Sequence, residues 1–185
     1  MSEQDLTESQ QREIDAASAN ALKHEPHQDV RQWLQDVHSA TLSTLSLSAG
    51  IKGFPACSVV PFALDRDGAP FILIAQIAAH TRNLLQDNRS SLFIRNDVQD
   101  GDPQAHWRAT LVGRMERLVV ETDKAAVNPR DGDVVISTDE FDLLKARYRE
   151  RVPKSDGYFG MHSFGFWRMR DIKKVRYIAG FGRIC

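Results

Sequence analysis

The chain has 185 residues, 42% hydrophobic and 26% charged, with a net charge of −1: one globular domain, able to bury about 70% of its unfolded surface. No segment approaches the ~20 apolar residues of a membrane-crossing helix, and no concentrated basic face marks a nucleic-acid partner. Two distant cysteines (Cys57 and the last residue, Cys185) and an acidic start without a signal-peptide pattern predict a soluble, cytoplasmic protein.

Residues 1–27 read as a polar N-terminal arm ahead of one domain over 28–185. The arm is rich in acids, which leaves the body mildly basic and suited to a small phosphorylated ligand. After Pro26, the apolar residues Val30, Trp33, Leu34 and Val37 fall at helical spacing. The period then changes to that of strands, over 41–47, 56–64 and 70–76, expected as an antiparallel meander. Asp65-Arg66-Asp67-Gly68 supplies the turn between the second and third, because aspartate and glycine tolerate the backbone it needs. The third strand is apolar enough to be buried on both faces.

A short helix over 78–87 and a strand over 90–95 follow, then a polar loop over 96–104. A long strand over 106–120 is expected to bend near Gly113. Residues 122–136 read as a surface excursion. Ser137-Thr138-Asp139-Glu140 has capping-box spacing and opens a helix to about residue 150, striped by Phe141, Leu144 and Tyr148. Two last strands, over 166–169 and 175–179, complete a mainly β chain. This order of elements predicts a closed antiparallel barrel of six to seven strands with helices at its ends. It lacks the alternation and glycine fingerprint of a Rossmann fold.

The stretch Gln76-Ile77-Ala78-Ala79-His80-Thr81-Arg82-Asn83-Leu84 lies where a buried strand becomes a helix N-terminus. Open backbone N–H groups and the helix dipole favour an anion there. An imidazole, a hydroxyl, a guanidinium and an amide follow within four residues, a set able to surround a phosphate. Ordinary capping beside a surface arginine is the plainer alternative for the same pattern.

The order of that segment after the Asp-Arg-Asp-Gly turn resembles the FMN-phosphate segment of the split-barrel flavoproteins related to pyridoxamine 5'-phosphate oxidase. Pro55-Ala56-Cys57-Ser58-Val59-Val60-Pro61-Phe62 resembles their strand along the flavin, and Leu111-Val112-Gly113-Arg114-Met115-Glu116-Arg117-Leu118 a later strand. The ending Ile178-Ala179-Gly180-Phe181-Gly182-Arg183 is similar to the haem-utilisation branch. The resemblance implies an FMN-binding split barrel working as a homodimer. It places His80, Thr81, Arg82 and Asn83 near the phosphate, Ser58 and Val59 along the phosphate and ring edge, and Gln76 on the ring or ribityl chain. It brings Arg108 from the second subunit.

That implies an FMN-dependent oxidoreductase acting on a small molecule, without an obligatory acid or base; pyridoxamine phosphate is not the expected substrate. A haem-binding or haem-degrading protein of the same fold, or a flavin carrier, is the alternative. The remaining histidines, His24, His27, His38, His106 and His162, read as structural or solvated, and no zinc-ligand spacing is found. Trp107, Phe164, Phe166 and Trp167 are expected in the core. The basic residues from Arg147 to Arg176 are expected on solvated faces.

Overall fold

Proline at the first helical position fixes φ where a polar stretch ends, and helix α1 (Pro26–Asp36) starts there. Its Val30, Trp33 and Leu34 form the buried stripe. The computed structural model describes residues 25–98, 101–121, 130, 132–159, 161 and 163–180. The expected arm up to residue 24, most of the excursion over 122–131, His162 and the Phe181-Gly182-Arg183 ending lie outside the described residues.

The strands are β1 (Ser39–Leu45), β2 (Pro55–Pro61), β3 (Ala63–Leu64), β4 (Pro70–Ala75), β5 (Arg89–Arg95), β6 (Trp107–Val120), β7 (Val134–Ile136) and β8 (Phe164–Ala179). Helix α2 (Ala79–Gln86) follows β4, and α3 (Thr138–Arg151) and α4 (Asp156–Phe159) precede β8. Among the described residues the sheet runs β2-β1-β5-β6-β8-β4-β3, and β7 pairs in parallel with the end of β6.

The barrel is split, as the resemblance implies, and the closure expected from the order of elements alone does not occur. The ladder starts at β2 and ends at β3, two consecutive pieces of one run parted at Phe62. Pro61 has no N–H to give a ladder, and the Phe62 N–H donates to His38 O at 3.1 Å while its side chain is fully buried. The chain therefore stops pairing with β1 and begins pairing with β4. For the same reason the simple meander does not form: β4 pairs with β3 at only two residues and otherwise with β8.

The two expected last strands are one strand, β8, which crosses its charged middle on a bulge. Register slips between Val112 and Arg114 of β6, where β8 inserts extra residues and Asp171 takes φ 50°. Gly113 is required opposite: a Cβ there would lie 3.1 Å from Arg170 O and 3.2 Å from Asp171 O.

Two cores result. Leu42, Phe62, Ile72, Leu92, Leu111 and Met169 fill the barrel, plugged at one end by α1. Phe71, Leu144, Tyr148 and Phe166 form a second layer between the outer side of the sheet and α3. Strand β4 serves both, with Ile72 in one and Phe71 in the other, so it is buried on both faces as its sequence predicts. Ser137 caps α3 by accepting from the Glu140 N–H at 3.1 Å. Trp167 and Phe166 are core residues, and Trp107 stacks on Trp33 at 4.5 Å. Arg168 departs from the expected solvated row: it is buried, and bridges Glu140 at 3.0 Å and Asp65 at 3.5 Å.

Candidate functional site

Strand β4 ends at Ala75, and Ala78 accepts the first turn of α2 from the Arg82 N–H at 3.2 Å. Helix α2 packs Leu84 into the barrel core, which fixes the direction of every neighbouring side chain. Thr81 and Asn83 therefore point inward. The Thr81 hydroxyl donates to Ala75 O at 2.6 Å. The Asn83 amide donates to Thr44 Oγ1 at 2.9 Å, and its oxygen accepts from the Leu47 N–H at 3.1 Å. Both are buried, and both tie α2 to the strands around it.

His80 is half-buried, whereas Arg82, two residues on, is exposed. The His80 Nδ1 sits 3.2 Å from Ser58 Oγ of β2, and among the described residues no hydrogen bond engages its Nε2. Burial lowers the pKa of His80 from the ordinary 6.5, so the ring is neutral at pH 7. Arg82 is exposed, and its guanidinium donates to Ile77 O. Gln76 is exposed, its backbone N–H donating to Ser163 O at 2.6 Å. Val59, beside Ser58, is 76% exposed, and Ile77 is 79% exposed.

The structure thus brings Ser58 and His80 together at one corner and sets the Arg82 guanidinium on the carbonyl of Ile77, next to Gln76 in the chain, with Val59 on the outer side of the edge strand that carries Ser58. It turns Thr81 and Asn83 away from that corner. Arg108 lies three strands along the sheet, about 14 Å at ordinary strand spacing, donating to Gln104 O and His106 O at 3.2 Å each. Ile77 was not singled out in the sequence, because one isoleucine between a buried strand and a helix gives no sign of facing solvent.

Two rows of the sheet near this corner are uncharged from β2 to β6 and continue onto β8 at Arg176 and Lys174. Register aligns Val59, Thr41, Phe93 and Thr110 in one row, and Cys57, Ser43, Ser91 and Val112 in the next. Chemically, the corner offers a neutral imidazole held by a hydroxyl, a nearby guanidinium, open N–H groups at the start of α2, and uncovered apolar surface. Among the described residues no group of three or more histidines, cysteines or acids is placed to hold a bare metal ion, and no helix is long and apolar enough to cross a membrane.

Comparison with known proteins places this geometry among relatives. The chloroplastic haem oxygenase HOZ of Arabidopsis thaliana is 31% identical over 167 residues, 90% of this chain and 44% of that protein. A haem-binding protein of Mycobacterium smegmatis superposes with a TM-score of 0.70 at 28% identity, over 88% of this chain and 57% of that one. The chain therefore spans about half the length of these relatives. A pyridoxine phosphate oxidase family protein of Clostridium acetobutylicum shares the fold, with a TM-score of 0.54 at 12% identity over 85% of this chain and 89% of that one. The family model for the CREG β-barrel matches residues 22–184. The chain belongs to the CREG β-barrel family, on the split-barrel fold of the pyridoxamine 5'-phosphate oxidase-like proteins.

Proposed function

We propose that this protein binds haem as a homodimer, at the corner where β4 gives way to α2, with His80 as the iron ligand. The observation that carries this reading is the placement of that imidazole, with Nδ1 3.2 Å from Ser58 Oγ. An iron ligand must offer a lone pair, and burial keeps His80 neutral at pH 7. A histidine ligand is normally oriented through its other ring nitrogen, and Ser58 Oγ lies at hydrogen-bond distance from Nδ1 while Nε2 is open. Arg82 supplies a cation for a propionate, and exposed Val59 and Ile77 border the corner with apolar surface. The haem names of the relatives at 28% and 31% identity support the same choice.

The second copy is proposed on the outer side of β2, β1, β5 and β6, where Val59, Phe93 and Val112 would leave water. It would also bring its Arg108 toward the corner. Bound haem supplies redox chemistry; the chain's own part is to hold it, orient His80 and exclude water. Degradation rather than storage would show as loss of the haem band under a reductant and air.

FMN at the same corner is the second reading, favoured by the open N–H groups of α2. Its contacts would be Ser58, Val59, Gln76, His80, Thr81, Arg82 and Asn83, with Arg108 of a second copy and a small-molecule substrate. Thr81 and Asn83 would serve through their backbone, since their side chains are engaged inside. Absorption of the purified protein separates the two, at roughly 450 nm for flavin and roughly 400 nm for haem. In the FMN case, Arg82→Ala combined with His80→Ala weakens flavin binding; unchanged affinity would exclude the assignment.

A further inference from the structure

At the opposite end of the barrel, α1 does not seal completely. A cavity of about 770 Å³ lies between α1, the turn from β3 to β4, and the bulge of β8. That is within the range of small-molecule sites, roughly 300–1,000 Å³. Its floor is apolar: Val30 and Leu34 from the helix, Leu111, Met169 and Tyr177 from the barrel wall. The Tyr177 hydroxyl donates to Asp29 at 2.6 Å and pins α1 on one side.

The charges at the mouth select the ligand. Arg170 is bound to Asp65 at 3.2 Å and Asp67 at 3.1 Å. Arg66 faces Asp67 at 3.8 Å, and Asp171 is held by Lys173 at 2.5 Å and Arg114 at 3.7 Å. His27 pairs with Glu25 at 3.1 Å. Arg31 lines the same mouth and has no carboxylate partner among the described residues. One cation without a carboxylate partner among the described residues, over an apolar floor, matches one negative head on an apolar body. A second carboxylate would meet Asp67 or Asp171, which argues against a dicarboxylic tetrapyrrole in this cavity.

We propose that this cavity is a second small-molecule site, which takes an apolar monocarboxylate of the kind represented by a medium-chain fatty acid. It is independent of the His80 corner and does not rest on the haem reading.

The test uses the full chain and an anionic fluorescent naphthalene sulfonate displaced by dodecanoate. Displacement at one equivalent is expected. Arg31→Ala should weaken dodecanoate about tenfold, the scale of one charge-assisted hydrogen bond, and leave dodecanol unchanged. Val175→Trp, at a cavity-lining position 38% exposed, should fill the space and abolish displacement with the circular dichroism intact. Ile172→Trp, also lining and 42% exposed, gives the same result if the first variant does not fold. His80→Ala should change nothing. Displacement that survives a folded tryptophan variant, or that disappears with His80→Ala, overturns the proposal.

Discussion

At the scale of single residues, polarity was readable from the sequence and direction was not. His80, Thr81, Arg82 and Asn83 look equally available when written in a row. Packing of Leu84 then sends Thr81 and Asn83 inward and leaves His80 half-buried and Arg82 exposed. Ser58→Ala should lower haem affinity about 10- to 100-fold, because it frees the ring that Ser58 orients; a haem titration measures it. Burial holds the His80 pKa below 6.5, so between the two values the unfolded chain binds more protons than the folded one. The stability conferred by the neutral ring is intact above pH 6.5 and is lost as pH falls through the folded value. Haem affinity should likewise stay level from pH 8 down to 6.5 and fall only below it. A midpoint above 6.5 in a spectroscopic titration would contradict this. Elsewhere, Ser155 is fully buried and its hydroxyl has no hydrogen-bond partner among the described residues, so Ser155→Ala should be neutral or stabilise by up to about 1 kcal/mol in a denaturant melt.

At the scale of elements, local period disclosed most helices and strands, because apolar spacing of 3.6 or 2 is a property of short windows. Pairing between distant strands is not, and so the β4–β8 ladder and the break at Phe62 were hidden. The charged run from Arg170 to Lys174 reads as a turn between two strands, whereas it is a bulge within one, held open by Gly113 across the ladder. Gly113→Ala should cost about 1–3 kcal/mol, since the added carbon meets backbone that cannot rotate away. Equilibrium unfolding would show it, and an unchanged midpoint would mean the bulge relaxes freely. Arg151 joins elements distant in sequence: its guanidinium donates to Leu34 O at 2.9 Å and to Val37 O at the end of α1, and lies 4.9 Å over Phe62. Arg151→Met keeps the apolar stem but leaves those carbonyls unpaired, for an expected loss of about 1–3 kcal/mol.

At the scale of the molecule, the split barrel leaves an edge strand, β2, with Val59 exposed on it. An exposed edge strand is ordinarily covered, and a second copy is the proposed cover. Val59→Arg should then shift the sedimenting species from two chains to one while preserving the fold. The central claim is more directly tested by titrating haemin into the purified apo chain and following the band near 400 nm (roughly, for any protein-bound haem). A single saturating site whose spectrum shows nitrogen ligation, lost in His80→Ala and retained in Arg31→Ala, is the predicted result. Binding of the same strength and spectrum in His80→Ala would contradict it.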